Sequence, residues 1–526
     1  MNWSLPRPSC GCFEWAHSSQ SQAFFRILAE TIRVNVSAFL LRSVSHFPTR
    51  LFDHCFYCIN MYTDVPAVEF NADLLHKYNR PLPRYTSYPP ATELSADFHE
   101  VDFRAAIATG NYKQTPLSLY CHIPFCESAC YFCGCNTVIT QLKSVADPYL
   151  DALIRNIEQM AALTSDRRPV NQLHWGGGTP NYLTLPQIER LWAALNQHFT
   201  LADQAEVSIE VNPAYLSRDQ VMLLRQLGFN RISFGIQDFD PQVQVAVNRI
   251  QPEALLFEVM GWIREAGFES VNVDLIYGLP YQNLHTFRET LTKTRALDPD
   301  RIAVFNFAYV PWMKPTQKKH IDPATLPDPE AKLEIFHMTI DELTTHGYQF
   351  IGMDHFAKPD DELAISQRQG ALHRNFQGYT TQPESDLLAF GMTSISMTHD
   401  VYVQNHKSLK DFYRAIESDQ LPIAKGVNLN RDDVIRRTII MELMCQFRLD
   451  KTELETKYHL SFDTDFDEYF AAEQAELQAL EADGLVRSSP NHIEVTPAGR
   501  LLIRNIAAVF DTFLHRQQTR QFSQSV

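Results

Sequence analysis

From Pro116 onward, short runs rich in β-branched and aromatic residues alternate with longer stretches whose apolar positions recur at helical spacing. The short runs predict strands at 117–123, 172–175, 206–211, 231–236, 270–276 and 301–307. The stretches between them, 149–162, 187–198, 218–227 and 252–266, carry the apolar stripe of surface helices. Strand–helix alternation sustained over six units means a parallel sheet with helices packed outside it. A doubly wound sheet and a partial barrel both satisfy this pattern. Chemistry-bearing residues follow the strands: Cys126 to Cys135, Gly176 to Pro180, Glu210 to Pro213, Gln237 with Asp238, then Asp274 and Ala308. Polar residues gathered at the carboxyl edge of successive strands suit a barrel site.

The pattern changes near Gly426 to Asp433. Helical segments follow at 433–445, 451–458 and 471–483, then a β-like piece at 484–496 and a last helix through 501–514. Helices followed by a hairpin suggest a winged-helix-like module. Such modules often bind DNA, but acidic residues outnumber basic ones here, which favours a lid over the substrate. A formal net charge of −16 argues against a nucleic-acid partner for the whole chain. The 526 residues suffice for two to four domains. No apolar run is long enough to predict a membrane span.

Residues 1–60 stand apart. They hold Cys10, Cys12, Cys55 and Cys58, many Ser and Phe, no Lys and few acids. They read as an extension preceding a true start at Met61, or as a disordered segment. A transit peptide is the alternative, without a clear amphipathic pattern to support it. Cys55 and Cys58 are a metal half-site lacking a second pair. The expected division is an extension over 1–60, an N-terminal arm over 61–99, a catalytic domain over 100–430 and a helical lid domain over 431–526.

Of the ten cysteines, five crowd between Cys121 and Cys135. Cys126, Cys130 and Cys133 form a C-x3-C-x2-C run directly after the first strand. Structural zinc takes four protein ligands, whereas a four-iron cluster held by three cysteines keeps one iron open to a small molecule. Reduced thiols are needed for such a site, which fits a cytoplasmic protein. Cys135 is a spare thiol, and Cys121 and Cys445 read as core residues. Trp175-Gly176-Gly177-Gly178-Thr179-Pro180 places three glycines at a strand end, where bare backbone can approach a ligand closely.

The cysteine spacing resembles that of the radical S-adenosylmethionine (SAM) superfamily. The flanking Tyr120-Cys121-His122-Ile123-Pro124-Phe125 and Tyr131-Phe132-Cys133-Gly134-Cys135-Asn136 resemble the oxygen-independent coproporphyrinogen III oxidase family within it. So do Arg84-Tyr85-Thr86-Ser87-Tyr88-Pro89 in the arm, Gly352-Met353-Asp354-His355-Phe356-Ala357, and the run from Leu372 to Gln382. The resemblance extends from about Phe70 to the C-terminus. It implies a (β/α)6 partial TIM barrel and a [4Fe–4S] cluster on Cys126, Cys130 and Cys133, with Cys135 off the cluster. It further implies two SAM molecules, one for each of two hydrogen abstractions. Residue by residue, Tyr120, Phe132, Gly177, Glu210, Ala308 and Ile395 belong with the SAM on the cluster. Gly178, Thr179, Gln237, Arg249 and Asp274 belong with the second. Asn212 departs from the acidic residue expected there.

The activity implied is anaerobic oxidative decarboxylation of coproporphyrinogen III to protoporphyrinogen IX, an oxidoreductase step of haem biosynthesis. The implied partners are this substrate, an electron donor of flavodoxin or ferredoxin type and an unidentified acceptor, serving a monomer. A haem chaperone with a cluster but no decarboxylase activity is the alternative. Those relatives usually carry Cys-Asp-Phe after the third cysteine and lack the arm. A radical SAM enzyme acting on RNA is disfavoured by the charge. A substrate with four propionates calls for Arg or Lys in its pocket. Arg84, Arg374 and Arg437 are the candidates, and the sequence does not choose among them.

Overall fold

The computed structural model describes residues 67–514, except 383–384 and 461–464. The expectations for residues 1–60, including the start at Met61 and the Cys55/Cys58 half-site, fall outside the described residues.

Twelve strands form one large sheet. In chain order they are β1 (Leu117–Ile123), β2 (Val170–Gly177), β3 (Leu201–Val211), β4 (Arg231–Gln237), β5 (Ser270–Tyr277) and β6 (Arg301–Asn306), followed by β7 (Gln349–Gly352), β8 (His355–Ala357), β9 (Asp386–Phe390), β10 (Ile395–Met397), β11 (Val401–Asn405) and β12 (Ile423–Asn428). The spatial order is β12-β11-β10-β9-β1-β2-β3-β4-β5-β6-β8-β7. Strands β1 to β6 run parallel in sequence order, the six-stranded partial barrel expected. Its edges are extended by elements that strand–helix alternation does not announce. β9 joins β1 in parallel, an antiparallel meander β10–β12 continues outward, and β8 with β7 turns back along β6.

Local signals explain the crossovers. Helix Arg218–Leu227 opens on a capping box between Ser217 and Gln220 and ends at Gly228, whose φ of 107° is left-handed. Helix Glu253–Ala266 closes the same way on Gly267. Helix Leu284–Ala296 starts on Asn283, whose side chain accepts from the His285 and Thr286 amides. Each presents an apolar stripe to the outer face of the sheet. Trp175 on β2 is fully buried against Trp192 and Phe229, with ring centroids 6.5 and 5.1 Å away.

One buried ion pair locks the β9 edge onto the barrel. Arg168, wholly enclosed, reaches Asp386 at 2.5 Å and also donates to the Thr115 carbonyl (2.6 Å) and Asn111 Oδ1 (3.2 Å). The helix Glu100–Lys113 lies so close that a Cβ on Gly110 would fall 2.4 Å from the Asp386 carboxylate.

Asp238, just beyond β4, is a second buried carboxylate. It accepts from Thr290 Oγ1 and the Asp240 amide, both at 2.7 Å, and from Gln282. Burial nevertheless pushes its pKa up to about 6. The native state therefore holds this proton to higher pH than the unfolded chain does, so stability falls as pH rises from about 4 to about 6. Asp238→Asn should remove this dependence. In urea titrations the wild type is expected to lose up to about 3 kcal/mol relative to the variant across that interval. Parallel pH profiles would contradict the assignment.

Beyond β12, helix Arg431–Gln446 leads to helices Lys451–Tyr458, Phe466–Tyr469 and Gln474–Ala482. A three-stranded antiparallel sheet of Arg448–Asp450, His492–Val495 and Val486–Ser488 completes the winged-helix-like shape. The expected last helix is shorter than its periodicity suggested, a 3-10 turn at Gly499–Leu502 running into Ile503–Ala508. The arm docks here: Tyr85 donates to Asp511 (2.9 Å), and Arg504 donates to the Pro83 carbonyl (2.9 Å). Among the described residues no helix is long and apolar enough to cross a membrane.

Candidate active site

Alternation along β1 to β3 points one set of polar side chains into the barrel. Across these strands Ser118 stands beside Gln172 and Gln172 beside Glu206, with Tyr120 beside His174 and His174 beside Ser208 one layer up. The hydrogen bonds follow this register. Ser118 donates to Gln172 (2.9 Å), Gln172 to Glu206 (3.0 Å), and His174 Nδ1 shares a proton with Ser208 (2.6 Å). At the carboxyl end, Glu210 faces His174 Nε2 and accepts from the Gly177 amide, each at 3.4 Å. Burial acts to raise the Glu210 carboxyl. The hydrogen bond and charge of His174 and the Gly177 amide outweigh it, so the net shift is downward. Half of the side chain remains open to the cleft, a carboxylate kept ionised and accessible.

The three cysteines lie on the loop leaving β1, and none is in a disulfide. Cys126 Sγ is 3.2 Å from Thr179 Oγ1, which ties this loop to the glycine turn. Arg249 Nη1 lies 3.5 Å from Cys130 Sγ, while Nη2 donates to the Gly235 carbonyl at 2.6 Å. The loop is further held by the Tyr131 amide on Val247 O (2.9 Å) and by Asn248 on Ala129 O (2.8 Å). Burial raises the Cys126 thiol to about 11, whereas hydrogen bonds from Cys135 bring Cys133 down to about 6. Cys135 donates its amide to Cys133 Sγ at 3.4 Å, and its own thiol is pushed upward by the bond to Cys133 and by burial. Cys121 and Cys445 are buried in the core.

The glycine turn is required by contact. Gly177 has φ 116°, and a Cβ there would strike the His122 ring at 2.5 Å. A Cβ on Gly178 would lie 2.7 Å from the Pro124 carbonyl. On the opposite wall Gln237 closes β4 with φ 72°. Asp274 lies inside β5, where it accepts from Asn272 (2.8 Å) and Ser233 (3.3 Å). Burial first, then the Glu210 charge, raises its pKa to about 6.

Two expected positions meet through a residue the sequence reading passed over. The buried Gln317 amide donates to both the Phe132 and Ala308 carbonyls, each at 3.1 Å. Ile395 opens β10, two strands out from β1, packed beside the cluster of Leu94, Tyr402, Leu429 and Val434. Asn212 is explained by its surroundings. Its Oδ1 caps the Ala214 amide (3.1 Å) and lies 3.3 Å from Gln251 Nε2, a buried neutral network. His122 and His174 were also missed, although the period-two alternation of β1 and β2 aims both side chains along the lumen.

Several buried polar atoms here have no protein partner: His122 Nε2, Gln237 Oε1 and Arg249 Nε. Such atoms are costly unless a ligand satisfies them. Among the described residues no three His, Cys, Asp or Glu side chains are arranged around a single metal ion. A cluster of several irons places each thiolate on a different iron, so the donor set suits a cluster better than mononuclear zinc. Three thiols, a side-chain-free turn and unpaired polar atoms together fit an iron–sulfur cluster with a polar ligand beside it.

Comparison with known families places this architecture. Residues 120–293 match the model of the radical SAM superfamily, and residues 429–502 match that of the HemN C-terminal domain. The barrel and its cysteine loop are those of a radical SAM enzyme, for which a [4Fe–4S] cluster and SAM are the implied cofactors. The chain is 66% identical over 467 residues to the oxygen-independent coproporphyrinogen III oxidase of Synechocystis sp., covering 89% of this chain and 100% of that protein. With the Escherichia coli oxidase of the same name the identity is 50% over 464 residues, covering 88% and 100%. The solved structure of E. coli coproporphyrinogen III oxidase (HemN), described as a radical SAM enzyme, superposes with a TM-score of 0.81. It covers 85% of this chain and 100% of that one, at 48% identity. The chain belongs to the oxygen-independent coproporphyrinogen III oxidase family.

Proposed function

We propose that this protein is the oxidoreductase that converts coproporphyrinogen III to protoporphyrinogen IX without oxygen, taking the propionates of rings A and B to vinyl groups. The carrying observation is the joining of a three-cysteine loop to a glycine turn through Cys126 and Thr179, in a chain matching coproporphyrinogen oxidases along their full length. When bound, the reduced cluster and SAM supply the hydrogen-abstracting radical that starts each decarboxylation.

The protein's own part is positioning and charge. Cys126, Cys130 and Cys133 would hold the cluster, with Arg249 placing a positive charge beside the Cys130 thiolate. Glu210, ionised and open to the cleft, would take the amino group of the SAM on the cluster, helped by the bare backbone of Gly177. Tyr120, stacked on His174 with ring centroids 5.8 Å apart, forms a flat wall on that side. Phe132, Ala308 and Ile395 complete this subsite. Gly178, Thr179, Gln237, Arg249 and Asp274 would receive a second SAM, and the unpaired Gln237 Oε1 and Arg249 Nε support that reading. The C-terminal helical domain would act as the lid, holding the arm through Asp511 on Tyr85 and Arg504 on the Pro83 carbonyl. A flavodoxin- or ferredoxin-type donor and a separate acceptor exchange electrons with a monomeric, cytoplasmic enzyme.

The test is stoichiometric. Methionine and 5′-deoxyadenosine are counted against vinyl groups during anaerobic turnover, and SAM bound per chain is measured at equilibrium. One SAM consumed per vinyl group and two bound per chain are expected, with Gln237→Ala reducing binding to one. A single site that Gln237→Ala leaves unchanged would contradict the two-site reading.

A further inference from the structure

A short hairpin, His373–Asn375 with Gly378–Thr380, is clipped to the barrel beyond β8. Thr380 Oγ1 lies 3.4 Å from Gln172 Nε2, and Thr381 donates to Glu206 at 2.5 Å, so the hairpin meets the polar residues of the lumen. Arg374 on its first strand is only 7% exposed. Its guanidinium lies over the ring of Tyr379, 4.6 Å from the centroid, and neither Nε nor Nη1 has a hydrogen-bond partner. Among the described residues no carboxylate lies within ion-pairing distance of it.

The surrounding groups sharpen this anomaly. His355 meets the same Tyr379 ring edge-on at 5.3 Å, and its Nδ1 is also unpartnered. Burial first, then the charges of Arg374, Arg84 and Arg301, drive His355 down to about 3, so it stands neutral. Burial and the charges of Arg504 and Arg374 lower Arg84 to about 10. Both amide atoms of Gln377, at the hairpin turn, are buried and unpaired. The other candidate arginines are already matched: Arg84 with the Asp354 carboxylate, and Arg437 with the His399 carbonyl and Tyr402 Oη. A buried guanidinium without an anion is costly, and a planar fork of N–H donors fits a carboxylate.

We infer that Arg374 is the anchor for a propionate carboxylate of the tetrapyrrole substrate, with His355 and Gln377 as neutral hydrogen-bonding neighbours. This rests on the coproporphyrinogen reading for the identity of the carboxylate. The SAM carboxylate is not the expected occupant, because none of the positions assigned to SAM lies on this hairpin.

The experiment uses the reconstituted holoenzyme under anaerobic conditions. Coproporphyrin III, the stable oxidised form, is titrated by fluorescence against wild type, Arg374→Gln, Arg374→Lys and Arg437→Gln, and SAM is titrated separately. For Arg374→Gln the porphyrin Kd is expected to rise tenfold or more, with SAM affinity and substrate-free SAM cleavage within twofold of wild type. Arg374→Lys should fall between the two, and Arg437→Gln should bind porphyrin like wild type. Should the glutamine variant not fold, the lysine variant still decides, through a rise in KM for coproporphyrinogen III. Porphyrin binding unchanged in a folded Arg374→Gln, or an unchanged KM in Arg374→Lys, would overturn the inference while leaving the enzyme's activity assigned. A wild-type protein that binds coproporphyrin III and depends on Arg374, yet does not decarboxylate coproporphyrinogen III, would keep the anchor and remove the activity. A wild type that binds no coproporphyrin would overturn both.

Discussion

Cys130→Ser is expected to abolish turnover, lowering decarboxylation by at least about a thousandfold, because serine cannot replace a thiolate on iron and the loop offers the site no other sulfur at that position. The same variant should lose the cluster's visible absorbance after reconstitution and its electron paramagnetic resonance signal after reduction. Its fold should survive, since Cys130 lies on a loop rather than in the core, and the loop is held by the Tyr131 backbone amide and the Asn248 side-chain amide. A melting temperature near wild type beside absent activity would separate chemistry from folding. Cys135→Ser gives the complementary result. It should retain a cluster, because Cys135 meets the site by hydrogen-bonding to Cys133 through its amide and its thiol, outside the three-cysteine ligand set. An unaltered cluster in Cys130→Ser would contradict the ligand set.

The largest effect on stability is expected at the ion pair between Arg168 and Asp386. Removing the guanidinium with Arg168→Met leaves a carboxylate buried between β9 and helix Glu100–Lys113 and takes the Arg168 donor from the Thr115 carbonyl. Breaking one side of such a pair costs about 3–5 kcal/mol. The loss should appear as a lower urea midpoint, together with early release of the β9–β12 meander in hydrogen exchange, since Asp386 is where that extension begins. The double variant Arg168→Met with Asp386→Leu should recover much of the loss, because no charge is then left buried. If Arg168→Met alone unfolds at the wild-type midpoint, the pair does not hold this edge.

Much of this architecture was legible because the barrel repeats a simple rule. Each of β1 to β6 is a short apolar run followed by a turn and an amphipathic helix, so period-two and helical spacing marked them, and helix 218–227 fell on its observed bounds. β9 was not legible. Its five residues, Asp386–Phe390, are buried on both faces and show no alternation, and no helix of barrel type introduces the strand. Asp274 was placed in its strand, but its hydrogen bond from Ser233 on the neighbouring β4 is a contact that spacing along one strand cannot show. The cysteine loop and the glycine turn were readable as motifs, since both depend on residue type at fixed separation. Gln317 was not singled out, and Arg374 stood only as one of three candidate arginines, for the opposite reason. Each acts through a tertiary contact, Gln317 by bridging two distant carbonyls and Arg374 by being buried without an anion.

The central claim is met most directly by the mass of the product. The protein, reconstituted with iron and sulfide, is supplied anaerobically with SAM, a reductant, coproporphyrinogen III and cell extract as a source of acceptor, and the porphyrins are followed by mass spectrometry. Loss of two carbon dioxide units in a SAM-dependent reaction that Cys130→Ser eliminates is the predicted result. SAM cleaved while the tetrapyrrole keeps all four carboxyl groups, with haem bound stoichiometrically, would contradict the account and favour a haem chaperone instead.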